Sequence, residues 1–305
     1  MLLPMRVGQL CRCQSVGGVM NPAYEHRPGV AGHGPPVAKL EAAARQLRVN
    51  VVRMVARQGL GYLQQGLGAA DLFAALYMSE LRVRPDDPRW PDRDRLLLST
   101  AHNTAVFYAA MAARGLIPAA ALETYTQDGS PFEINASERV GPQVEATCGS
   151  LAQGLSVGVG MALSLRRQAK SARVYVILGD GELQEGQVWE AGLSAAGHRL
   201  DNLCLVIDRN YMQVDGHTDE VMRLEPLADK WVAFGWHVLS IDGNDLTQLT
   251  QALERARNIR DRPTCIIANT IPGKGVPFLE GRISHMAAIS REEAQRALRI
   301  LGESP

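Results

Sequence analysis

Apolar positions along this chain fall into two patterns. Short dense runs at residues 95–100, 173–178, 203–207, 236–241 and 264–269 are rich in Leu, Ile and Val and are bounded by glycine or polar residues, which predicts strands buried on both faces. Between them the apolar positions recur at helical spacing. Leu40, Leu47, Val51, Met54 and Val55 form one stripe, followed by a glycine-punctuated loop and a helix over 69–80. Further helices are predicted at 103–114, 151–167 (lined with Gly and Ala for close packing), 187–198 and 246–258. This alternation implies an α/β fold, a doubly wound and mostly parallel sheet with helices on both faces and right-handed crossovers. It occupies residues 37–305 as one domain, without internal repeat or linker. Residues 1–36 carry Gly, Pro, His and Arg without period and read as a poorly ordered tail in which His26 and His33 are solvated and Met20 is an alternative start.

Composition narrows the partners. In 305 residues, 46% are apolar, enough for a sizeable core, and Lys plus Arg equals Asp plus Glu at 32 each, so bulk charge favours neither nucleic acid nor an anionic membrane. Five cysteines (Cys11, Cys13, Cys148, Cys204, Cys265) are an odd set without paired spacing, and two of them fall inside predicted strands, which suits reduced thiols. No apolar run approaches the ~20 residues that cross a bilayer. A cytoplasmic location is the expectation.

Polar motifs sit where the strands end. Residues 99–102, 179–181, 208–210 and 269–275 each directly follow a predicted strand, and in open α/β sheets ligands bind outside the carboxyl ends of strands. Asp180, between Gly179 and Gly181, and Asn210, after Asp208, then share one edge. A carboxylate, an amide oxygen and a backbone carbonyl suit a hard cation such as Mg²⁺ held together with phosphate oxygens. Taken alone, Gly-Asp-Gly is equally the chemistry of a tight turn. Phosphate-loop and dinucleotide glycine spacings are missing. His102 stands just past a strand end, where a neutral imidazole can donate to a phosphate or substrate oxygen. His198, His217 and His237 have no such context and read as solvated or packing residues.

Four segments together resemble the transketolase family. Gly179-Asp-Gly-Glu-Leu-Gln-Glu-Gly186 with Asn210 resembles its thiamine diphosphate motif, Thr147-Cys-Gly-Ser-Leu-Ala-Gln-Gly154 its glycine-rich segment beside the cofactor rings, Ser99-Thr-Ala-His102 its Ser-x-Gly-His segment, and Asp208-Arg-Asn-Tyr-Met-Gln-Val-Asp-Gly216 its Asp-x-Asn loop. The likeness runs from about Lys39 onward. It implies thiamine diphosphate with Mg²⁺ (or Ca²⁺ or Mn²⁺) as cofactors. By the same resemblance Asp180, Asn210 and the Met212 carbonyl hold the metal, the Gly181 N–H faces the diphosphate, and Gly149, Ser150 and Leu151 lie against the rings, unless they simply start a helix. Val214 lies near the thiazolium or packs in the core. His102, and His285 in Gly281-Arg-Ile-Ser-His285, would meet diphosphate and substrate. Glu185 and Glu190 are either part of a carboxylate network at a dimer interface or exposed helix charges.

The implied reaction is transfer of a two-carbon ketol unit from a ketose (phosphate) to an aldose (phosphate). Family chains are about twice this length and carry the activating glutamate in a second domain. The resemblance therefore implies the N-terminal subunit of a split enzyme, completed by a C-terminal subunit with the pyrimidine-binding domain in an α₂β₂ assembly that takes sugar-type substrates. Two departures bear on specificity. Leu60-Gly-Tyr-Leu-Gln-Gln-Gly-Leu-Gly68 places Tyr62 where the family has histidine, and Ile134-Asn-Ala-Ser137 lacks the histidine of a Gly-His-Pro segment. Another thiamine diphosphate reaction, of keto-acid decarboxylation or deoxyxylulose phosphate synthesis type, and a role as non-catalytic scaffold are the alternatives.

Overall fold

The computed structural model describes residues 35–282, 286 and 288–303, so the expected tail up to residue 34 and His285 lie outside the described residues. Among the described residues seven strands are present: β1 (Arg95–Leu98), β2 (Val174–Gly179), β3 (Leu203–Arg209), β4 (Met212–Gln213), β5 (Gly216–His217), β6 (His237–Asp242) and β7 (Thr264–Asn269). Five form one parallel sheet in the order β1-β2-β3-β7-β6, and β4 and β5 form a small antiparallel hairpin. The strands predicted from the apolar runs are these five, with ends shifted by one or two residues.

The sheet is buried on both faces because alternate side chains enter two separate cores. Tyr175, Ile177, Cys204, Val206, Ile266 and Ala268 pack on one side with α1 (Val37–Gln58), α3 (Ala70–Ala75), α4 (Thr104–Ala113) and α9 (Leu246–Asn258). Val174, Val176, Leu178, Leu205, Ile207 and Cys265 pack on the other with α5 (Gln153–Arg167), α6 (Gly186–Gly197) and α8 (Leu227–Ala233). Burial explains why β2, β3 and β7 read as continuous apolar runs rather than alternating ones, whereas β6, expected to be buried on both faces, lies at the sheet edge and is half-buried to exposed throughout. The glycines of α5 let it lie directly on the sheet: a Cβ at Gly158 would stand 2.5 Å from Val176 Cγ2. Helix α9 begins where the Asp245 carboxylate accepts from the N–H groups of Thr247 and Gln248, at 2.8 and 3.1 Å, and ends after a buried stripe of Leu249, Leu253 and Ala256.

Several expectations need correction. The stretch read as a loop before residue 69 contains α2 (Leu63–Gly68), a short buried helix whose glycines are packed rather than loose: a Cβ on Gly66 would meet Val51 at 3.0 Å and one on Gly68 the Ile271 carbonyl at 2.9 Å. The helix expected over 69–80 is α3 followed by a π turn at Leu76–Glu80. Helix α5 starts two residues late because Ala152 is left-handed, with φ 72°. The pattern also missed α7 (Thr218–Val221), α8, α10 (Arg291–Ile300) and the β4–β5 hairpin. Cys148, Cys204 and Cys265 are free and buried, and burial pushes the Cys204 thiol up to about 12. Among the described residues no helix is long and apolar enough to cross a membrane.

Candidate active site

Strand order alone gathers the polar motifs. β1, β2 and β3 are neighbours, so Thr100 and His102, Asp180 and Gly181, and Asp208 and Asn210 emerge side by side and line one cavity of about 200 Å³. The segment after β7 joins them: the Thr270 hydroxyl donates to Asp208 Oδ1 at 2.5 Å and its N–H to the Arg209 carbonyl at 3.0 Å.

Asp180 is fully buried at the floor. Its Oδ1 accepts from the Gly181 N–H at 2.9 Å, and its Oδ2 accepts from the Tyr211 N–H at 2.7 Å and the Thr218 hydroxyl at 3.4 Å. The Gly181 N–H, expected to face a diphosphate, is thus directed at its neighbour's carboxylate. Burial, with the Asp208 carboxylate second, pushes the Asp180 carboxyl up to about 7. Asp208 is also raised by burial, although Asn103, Thr270 and Asn210 all donate to it. The Asn210 amide is oriented at both ends: Nδ2 donates to Asp208 Oδ2 at 3.3 Å and Oδ1 accepts from the Met212 N–H at 3.0 Å. Met212 and Gln213 then pass so close over Gly181 that a Cβ there would sit 2.8 Å from Gln213 Cβ and 3.4 Å from the Met212 carbonyl oxygen.

A hard cation fits this set. The buried Asp208 carboxylate lies close enough to raise that of Asp180, the oxygens of Asp180, Asn210 and Met212 are hard donors, and Asn103 Oδ1 is a buried acceptor at the cavity with no hydrogen-bond partner among the described residues. No cluster of three or more His, Cys, Asp or Glu suited to a metal occurs among the described residues.

Glu182 holds a role that motif spacing did not suggest. It is buried and accepts from three motif segments at once: the Ser99 hydroxyl after β1, the Ala152 N–H (2.6 Å) before α5, and the Gly179 N–H (3.1 Å) at the end of β2. Ser99 Oγ also accepts from the Gly154 N–H at 3.1 Å, and a Cβ on Gly154 would stand 2.4 Å from Ser99 Cβ. A charged residue after Gly-Asp-Gly reads as solvent-facing. Only its position opposite two other strand ends reveals a hub.

Tyr62 and His102 meet edge to face, ring centroids 4.8 Å apart, and His102 with Gln65 of α2 lines the cavity. Burial raises the Tyr62 pKa, so the phenol stays protonated at neutral pH. Leu151 lines the cavity, whereas Gly149 and Ser150 are exposed on the segment leading to it. Val214 lines the rim and is 64% exposed, which excludes the core alternative. Glu185 is exposed at the rim and Glu190 is exposed on α6. The 134–137 turn leans on α4, where the Ala136 N–H donates to Thr104, and does not line the cavity. His198 is exposed, and His237 is half-buried in β6 with its pKa lowered by burial. His217 stacks on Tyr211.

Comparison with known proteins leads to the same family. The family model described as "Transketolase, thiamine diphosphate binding domain" matches residues 39–305. The 6-deoxy-6-sulfo-D-fructose transketolase subunit of a Clostridium species is 41% identical over 254 residues, covering 83% of this chain and 92% of that protein. An apulose-4-phosphate transketolase subunit of Phocaeicola vulgatus is 34% identical over 268 residues, covering 88% and 95%. The crystal structure of transketolase from Campylobacter jejuni superposes with a TM-score of 0.83 at 30% identity, covering 89% of this chain but 44% of that one.

Proposed function

Because this chain belongs to the transketolase family, through its thiamine diphosphate-binding domain, we propose that it is the thiamine diphosphate- and Mg²⁺-binding subunit of a two-chain transketolase. The assembly moves a two-carbon ketol unit from a ketose to an aldose. The observation that carries this reading is the convergence of Asp180, Asn210 and the Met212 segment at adjoining ends of β2 and β3, beside a cavity that includes His102. At about 200 Å³ the cavity falls below the several hundred typical of a complete ligand pocket, which supports a half-site closed by another chain. Lengths agree: the chain covers nearly all of two relatives named as subunits and under half of a one-chain transketolase.

When bound, thiamine diphosphate supplies the carbon–carbon cleavage and transfer chemistry. In this chain the Asp180 carboxylate, the Asn210 amide oxygen and the Met212 carbonyl hold Mg²⁺, with Ca²⁺ or Mn²⁺ as substitutes. Glu182 ties the loops after β1 and β2 to the segment carrying Leu151 and keeps that wall of the cavity in place. His102 and Tyr62 orient a substrate oxygen by hydrogen bonding, and the buried phenol donates without exchanging its proton near neutrality. His285 remains a proposed contact to diphosphate and substrate. Among the described residues, none lining the cavity is Lys or Arg, so recognition of a phosphate or sulfonate end falls to the partner subunit. Tyr62 in place of histidine favours, as a second reading, a thiamine diphosphate reaction with a different substrate range.

The test is co-expression of the full chain with the protein from the adjacent reading frame. We expect copurification, Mg²⁺-dependent thiamine diphosphate binding by calorimetry and two-carbon transfer between sugars, with Asp180→Ala losing cofactor retention. No binding with the partner present would refute the proposal.

A further inference from the structure

Resting on the metal reading above, we propose that Tyr211 is the positioning residue of the metal loop, aiming the Asn210 amide and the Met212 carbonyl at one centre. Tyr211 lies between those two ligands and is left-handed, with φ 61°, a conformation a bulky residue adopts only when its surroundings impose it. The turn reverses the chain as it leaves β3. Met212 can then pair with His217, and Met212 and Gln213 come down over Gly181.

Every group of Tyr211 takes part. Its N–H donates to Asp180 Oδ2 at 2.7 Å and its carbonyl accepts from the Thr218 N–H at 3.0 Å. Its hydroxyl donates to Asn269 Oδ1 at 2.9 Å, and Asn269 is itself anchored by donating to the Ile241 carbonyl at 2.9 Å. The ring packs against both the Arg209 guanidinium, 4.5 Å from its centroid, and the His217 imidazole, 5.5 Å away and tilted by 23°. Arg209 is in turn paired with Glu225 at 2.7 Å. A glycine would take the same φ without strain but would leave the hinge free. Tyrosine instead clamps it to β3, β7 and the hairpin. Tyr211 is not among the described residues that line the cavity and acts through its neighbours in sequence.

The experiment titrates Mn²⁺ into the full chain, with its partner where the two copurify, in the presence of thiamine diphosphate, reading bound metal by electron paramagnetic resonance. Tyr211→Ala is expected to weaken Mn²⁺ binding by about 10- to 100-fold, the range for residues that orient metal ligands, whereas Tyr211→Phe, which keeps the ring contacts to Arg209 and His217, stays within about threefold. The melting temperature of each metal-free variant separates a loop effect from general unfolding. If Tyr211→Ala does not fold, His217→Ala decides, because it removes the stacked imidazole from the Tyr211 ring and is expected to weaken Mn²⁺ about threefold or more. Wild-type affinity in the folded Ala variant, or in His217→Ala as its substitute, overturns the proposal and leaves the proposed function standing. A wild-type chain that takes up no Mn²⁺ with thiamine diphosphate fails the metal reading itself.

Discussion

Adding one methyl group at Gly181 probes the metal loop without touching a ligand side chain. In Gly181→Ala the new Cβ would lie 2.8 Å from Gln213 Cβ, and ordinary contact needs about 0.6 Å more. Gln213 Cβ cannot yield by rotating, so the Met212–Gln213 strand must lift and carry the Met212 carbonyl with it. Overpacking of this kind costs about 1–3 kcal/mol in folding stability. The metal feels the shift more sharply. Mg²⁺ needs near-octahedral oxygens at about 2.0–2.1 Å, whereas Ca²⁺ accepts six to eight at about 2.3–2.6 Å in looser arrangements. Thiamine diphosphate binding in Mg²⁺ should therefore weaken by about 10- to 100-fold and binding in Ca²⁺ by clearly less. Calorimetric titrations of the cofactor in each metal read the difference directly. Equal affinity of wild type and variant in Mg²⁺ would refute the placement of Met212 in the metal shell, and equal losses in both metals would refute the geometric argument.

Three further outcomes follow from the same contacts. Gly154→Ala drives a Cβ to within 2.9 Å of the Ser99 backbone as well as its side chain, and is expected to lower stability in urea denaturation by about 2–4 kcal/mol; a loss below about 0.5 would contradict the packing of α5 on the end of β1. Glu182→Gln sets an amide N–H₂ against one of three donors and should cost about 1.5–3 kcal/mol, with looser cofactor retention measured by gel filtration of the loaded complex. Because burial raises the Tyr62 pKa above its ordinary 10, Tyr62→Phe should change KM for the sugar but leave the pH–rate profile between pH 6 and 9 unaltered; a limb that disappears in the variant would show that the phenol ionises in turnover.

Residues that obey a period, or that stand at an element's end, were legible in the sequence. The central strands β2, β3 and β7 could be read because burial on both faces demands nearly unbroken Val, Ile and Leu, and α9 because its apolar stripe begins after Asp245, a capping residue. The hairpin at 212–217 was not, since each of its strands is two residues long and its geometry depends on Tyr211 rather than on any pattern. Likewise α2 hides behind Gly66 and Gly68, which mark a loop until Val51 and Ile271 are seen against them. The oxygen set of Asp180 and Asn210 was visible through motif spacing. The buried, hydrogen-bonded roles of Glu182 and Asp208 within those motifs were not, because a buried carboxylate and an exposed one look alike in sequence, and only donors from distant segments such as Ser99, Asn103 and Thr270 separate them.

The order β1-β2-β3-β7-β6 carries a consequence for biosynthesis. β7 is the last sheet strand to leave the ribosome, yet it fills the gap between β3 and β6. A nascent chain ending near residue 263 therefore presents two open strand edges, the form of intermediate that recruits chaperones and seeds aggregation. The Thr270 hydroxyl that completes the hydrogen-bonding around Asp208 arrives only after that insertion. The oxygen-lined floor is thus completed only after residue 270 has been made.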